Sequence, residues 1–62
     1  MKLIKCNDSY RIGDRISDFE YIAGFVGLDD EGQVVTETCE MFGDAKSQPF
    51  VTEVKAIVKE ID

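Results

Sequence analysis

The sequence predicts a small α+β domain: an antiparallel sheet of three or four strands with a C-terminal amphipathic helix laid across it. Three observations carry that expectation. Two runs rich in aromatic and β-branched residues, 21–28 and 33–42, flank Asp29-Asp30-Glu31-Gly32, a turn ending in Gly. That arrangement reads as a central β-hairpin over about residues 21–42. At 100° per residue, Phe50, Val51, Val54, Ile57, Val58 and Ile61 share one arc, which predicts a helix over about 50–61. Each of these elements has an apolar face that needs a partner, and packing the helix on the sheet satisfies both.

The elements follow in chain order. Lys2 to Cys6 is a short apolar-leaning strand, ended by the turn-prone Asn7-Asp8-Ser9. Gly13-Asp14 marks a tight bend or short extended piece between Tyr10-Arg11-Ile12 and Arg15-Ile16. In the second arm of the hairpin, Val35, Cys39 and Met41 share one parity, broken by Glu37, while Thr36, Thr38 and Glu40 share the other. Period two suits a half-buried strand, because successive side chains point to opposite faces. Gly24 and Gly27 in the first arm signal a bulge or a close approach by other backbone. Residues 43–49 form a connector. The β-branched residues of the last thirteen favour a strand by propensity, but periodicity is the stronger signal. Ser47 is placed to cap a helix whose first turn tolerates Pro49.

Tyr10-Arg11-Ile12-Gly13-Asp14-Arg15-Ile16, then Gly24-Phe25-Val26, then a hairpin, resembles the phrasing of SH3-like modules over less than half the chain. That resemblance implies the alternative fold, a small five-stranded barrel.

Composition bounds the function classes. Sixty-two residues make a single small domain, 1–62, of limited stability. The chain starts with Met, so the expectation is a complete small open reading frame; the alternative is a domain excised from a longer chain. Its net charge is −6, with seven scattered bases, which argues against nucleic acid or an anionic membrane as a direct partner. No signal peptide or membrane-spanning run is present, and two cysteines are too few for a disulfide scaffold. The expectation is a cytoplasmic chain with Cys6 and Cys39 reduced; the alternative is one bridge between them. Histidine is absent, and with it the commonest general base and metal ligand. No phosphate-binding glycine loop or CxxC pair occurs. Three adjacent acids at a turn do not supply the alternate ligand spacing that calcium loops use. A chain this small has little room for a substrate cavity. The expectation is therefore no enzyme, no cofactor and no metal.

What remains is charge. From Ile16 to Ala45 the chain carries eight acids and no base: Asp18, Glu20, Asp29, Asp30, Glu31, Glu37, Glu40 and Asp44. The plainer reading is that these acids serve solubility and discourage strand-edge pairing. The functional reading is a protein-interaction module whose hairpin presents an acidic ridge to a basic protein surface. In its concrete form it is an inhibitor or regulator of a nucleic-acid-binding protein, its carboxylates standing in for phosphates. Small acidic chains of phages and mobile elements offer the analogy. The alternative is a structural or self-associating subunit, a homodimer paired through an exposed hairpin edge.

Overall fold

The computed structural model describes residues 2–62. Its elements in chain order are β1 (Lys2–Lys5), β2 (Glu20–Leu28), a short helix α1 (Phe42–Lys46) and β3 (Glu53–Glu60). The strands form one antiparallel sheet in the order β1-β3-β2. The result is a small α+β fold in which the last strand lies between the other two.

The segment expected to be a helix over about 50–61 is therefore the central strand. The reason lies in where the strand begins and ends. Within Glu53–Glu60, Val54, Ala56 and Val58 point to one face, and Glu53, Lys55, Ile57 and Lys59 to the other. Ile57, and the exposed Glu60 at the strand's end, break a clean alternation of period two. Phe50, Val51 and Ile61, which completed the helical arc, lie outside the strand. Ile57 is itself accommodated: it sits opposite Leu3 on one side and Gly24 on the other. A Cβ on Gly24 would lie 3.7 Å from the Ile57 Cδ1. Ile57 thus fills space beside a residue that has no side chain.

The helix forms earlier, in the expected connector. Phe42 and Ala45, three residues apart, turn to the core, and Ala45 is fully buried. Ser47 closes this helix instead of opening a later one, its hydroxyl donating to the Asp44 carbonyl at 2.7 Å. One turn with two apolar residues leaves too weak a periodicity to be read from sequence.

The expected hairpin over 21–42 is half realised. Its first arm is β2, and its turn forms as read. The Gly32 amide donates to the Asp29 carbonyl and the Asp29 amide to the Gln33 carbonyl, with Gly32 at φ 79°. Left-handed backbone of that kind is where Gly is favoured. The second arm is not a strand. It meets β2 at two isolated bridges, Leu28 with Val34 and Phe25 with Cys39. Val35 bonds Gly27, and Cys39 bonds Phe25 in both directions. Between those anchors β2 advances two residues while the arm advances four, so 36–38 bulge outward. Residues 13–16 cover the other end of the same edge through the Arg15–Tyr21 bridge and bonds from Gly13 to Ile22 and from Ile22 to Asp14. The sheet has three strands, which replaces the five-stranded SH3-like alternative.

Burial is heaviest on the face that α1 covers. Ile22, Phe25, Cys39, Ala45, Val54, Ala56 and Val58 form one cluster, with Ile4, Cys6, Tyr10, Ile16, Phe42 and Val51 packed against it. Phe25 meets Phe42 edge to face at 5.9 Å. Val26, Leu28 and Ile57 are buried on the opposite face. The bulge expected in β2 is present: register shifts between Ile22 and Gly24, leaving Ala23 as the extra residue. The close approach at Gly27 comes from a side chain and not, as expected, from other backbone: a Cβ there would lie 2.8 Å from the Val51 Cγ2.

A chain of this length is stabilised by about 3–9 kcal/mol in total. Phe25→Ala should remove about 3–5 kcal/mol, half or more of a mid-range total, and lower the urea midpoint accordingly. Gly27→Ala should cost about 1–3 kcal/mol through collision with Val51. Adding Val51→Ala should then cost less in the Gly27→Ala background than in the wild type, a coupling measurable by a double-mutant cycle.

Candidate interaction surface

The structure separates the eight candidate acids. Asp18 lies in the exposed turn leading into β2, and Glu20 opens the strand. Asp29, Asp30 and Glu31 form the turn beyond its far end, about 27 Å away at 3.4 Å per residue. The two ends differ electrically. At the first, the Lys2 Nζ reaches Glu20 at 3.0 Å, and Lys59 lies opposite Tyr21. Bases from β1 and β3 therefore mix with the acids there.

Beyond Leu28 the mixing is slighter, limited to Arg11 across a cleft from Glu40 and Lys46 after Asp44 in α1. Residues 29–45 hold six acids, Asp29, Asp30, Glu31, Glu37, Glu40 and Asp44, and no Lys or Arg. The remaining residues carry seven acids and seven bases, so this one segment holds the whole net charge of −6. The ion pairs among the described residues are Lys2–Glu20, Lys46–Asp8 and Lys55–Glu53. None of them involves an acid of the segment. An unpaired, single-sign stretch projects its field outward, where it steers an oppositely charged partner.

One of the six is occupied with structure. The Asp29 carboxylate accepts hydrogen bonds from the Glu31 and Gln33 amides, both at 2.9 Å, and so fixes the turn. Asp30, Glu31, Glu37, Glu40 and Asp44 are exposed. The backbone that carries them is held at a few points only: the two bridges to β2, buried Cys39, and Ala45 in the core. Glu37 lies in the outward bulge at 36–38, which accounts for an acid at a position of apolar parity.

Sequence reasoning missed the apolar side chains near these acids. Met41 is 66% exposed and Ile12 is 46% exposed. They stand on opposite lips of a cleft of about 220 Å³ between residues 8–12 and 40–43. Phe25, Tyr10 and Phe42 line it, with Asp8, Glu40 and Arg11 at the rim. Lys46 ties the two lips together, lying 3.9 Å from the Phe42 ring centroid and 3.5 Å from the Asp8 Oδ1. No pattern in the sequence signals the cleft, because its walls lie some thirty residues apart along the chain.

No group of three or more acidic or cysteine side chains among the described residues is arranged to hold a metal ion. Among the described residues, no helix is long and apolar enough to cross a membrane.

Both cysteines are free thiols. Burial pushes the Cys39 thiol above its ordinary value, and the Asp44 carboxylate pushes the same way. Burial also raises Cys6, against a smaller opposing pull from its hydrogen bond with Asn7 and from Lys46. A raised thiol keeps its proton in the fold after the unfolded chain has lost it. Its contribution to stability is therefore intact below the unfolded value, 9.0, and is lost as pH rises through the folded value. Urea unfolding from about pH 8 to about pH 10 should show a steeper loss of stability in the wild type than in a Cys6→Ala, Cys39→Ala double variant.

No family model, curated protein or solved structure matches this chain.

Proposed function

We propose that the chain is a non-enzymatic interaction module that docks on a basic protein surface through residues 29–45. The observation that supports this most is the confinement of the whole net charge to a segment whose acids form no ion pair in the described structure. A solubilising charge is typically interspersed with its opposite sign over the surface. Here the rest of the chain is neutral in sum.

The concrete form of the proposal is an inhibitor or regulator of a nucleic-acid-binding protein. A surface built to bind phosphates carries clustered Lys and Arg. Exposed carboxylates on an irregular backbone would occupy that surface as competitors of the nucleic acid. Asp30, Glu31, Glu37, Glu40 and Asp44 are the residues assigned to the contact; Asp29 supports it by holding the turn. Asp18 and Glu20, at the far end of β2, are not assigned to it.

Self-association through the hairpin edge has less support. Residues 13–16 and 34–39 already occupy the outer edge of β2. The outer edge of β1 is only four residues long and has Lys at both ends, a composition that discourages edge pairing.

The test is capture of a partner by the tagged chain at low salt, followed by association kinetics with what is captured. Reversing Asp30, Glu31, Glu37 and Glu40 to Lys should slow association by about tenfold or more and flatten its salt dependence. The dissociation rate should change less. Unchanged kinetics in the reversed variant would refute the proposal, as would a partner whose contact surface is acidic.

A further inference from the structure

The acidic segment alone explains attraction but not selectivity, since long-range charge does not distinguish one basic surface from another. The cleft between residues 8–12 and 40–43 supplies what is missing. We infer that it receives a single large apolar side chain, aromatic or aliphatic, from a basic segment of the protein partner. The inference rests on the proposed docking of residues 29–45 and names the anchor of that same contact.

Size comes first. At about 220 Å³ the cleft is smaller than the roughly 300 Å³ at which small-molecule sites begin. It suits one side chain better than a whole metabolite. Chemistry comes next. The cleft is walled by Tyr10, Phe25 and Phe42, and Phe25 is itself a fully buried core residue. A side chain entering would contact Tyr10 and the half-buried Phe42, whose ring is held edge to face by buried Phe25 and has the Lys46 Nζ 3.9 Å from its centroid. The two lips are adaptable by contrast: Ile12 and Met41 are exposed, and Met reshapes readily around an incoming group. A rigid floor under flexible apolar lips is the arrangement in which interface anchors concentrate binding energy.

Charge then selects the flanks of the anchor. Glu40 and Asp8 stand at the rim, and Met41 and Phe42 belong to the segment that carries the six unpaired acids. A chain leaving the cleft along that segment passes Glu37 in one direction and Asp44 in the other. Lys or Arg on either side of the anchor would complement them. Two cations at the cleft do not fit this scheme: Lys46, which pairs with Asp8 and lies over the Phe42 ring so that Glu40 is the rim acid left free, and Arg11, which supplies a control. Arg11→Gln should leave binding unchanged or tighten it, and weaker binding would count against a basic occupant.

The experiment uses the isotopically labelled full chain and four synthetic nonapeptides with capped ends. The first has a central Phe among Lys and Gly, the second a central Ala in its place. The third and fourth repeat these with Glu replacing Lys. Amide shift mapping should place the Lys-flanked Phe peptide at Tyr10–Ile12 and Glu40–Gly43. Its Ala counterpart should bind at least about tenfold more weakly and shift only the acidic segment. Ile12→Thr and Met41→Thr, at exposed positions that leave the core intact, should each weaken the Phe peptide several-fold and leave the Ala peptide unaffected. Equal binding of the two Lys-flanked peptides would overturn the anchor while leaving charge-driven docking in place. Equal binding of the Glu- and Lys-flanked Phe peptides would overturn the choice of a basic occupant and count against the docking proposal as well. Absence of any shift at the cleft with all four would overturn the inference.

Discussion

Everything in this fold depends on the pairing of β3. Neither β1 nor β2 pairs with the other; each is hydrogen-bonded to the strand between them. Without β3, four residues of β1 have no ladder, and β2 retains only the bridges from 13–16 and 34–39. The core has the same dependence. Val54, Ala56 and Val58 form the middle of the apolar cluster, with Ile22 and Phe25 from one side and Ile4 from the other. Placing the central strand last makes the sheet a non-local structure, one whose cooperativity comes from long-range contacts.

That dependence explains which parts of the fold were legible in the sequence. The first strand, the length of β2, the Asp29–Gly32 turn and the bulge near Gly24 were all visible, because each is specified by residues adjacent in sequence. The central strand was misread as a helix because Phe50, Val51 and Ile61 were counted in the same window as Val54, Ile57 and Val58. A strand in the centre of a sheet is buried on both faces to some degree, which blurs its alternation. Here Ile57 supplies that blur, and only its place beside Gly24 resolves it. The hairpin's second arm shows the converse. Its alternation of Val35, Cys39 and Met41 suggested a strand, but Cys39 alone of the three is buried. Tertiary packing, not local pattern, decided both cases.

The candidate surface was half legible for a related reason. Sequence shows how many acids the central block holds but not which of them meet bases. The sheet brings Lys2 beside Glu20 and leaves 29–45 unmatched, contracting the block and moving its centre away from Asp18. Asp29, an obvious candidate, turned out to serve the backbone. The cleft was invisible because it is built from two segments that meet only in the folded chain. Its floor belongs to the core, so the same Phe25 that stabilises the sheet also shapes a concavity on the surface.

The segment that carries the charge is also the tether between β2 and β3. Residues 29–52 must close on themselves before the central strand reaches its place. Closing a loop of that length costs about 3 kcal/mol of chain entropy, rising slowly with length. Six acids against the one base Lys46 leave the open loop with net repulsion, which swells it further. The stretch proposed to dock a partner therefore also opposes closure of the tether. Added salt, which screens over distances of about 10 Å or less, shrinks the open tether and eases its closure, and under the proposed docking it also weakens attraction to a basic partner. Ionic strength thus acts on this molecule in two opposed ways through a single stretch of sequence.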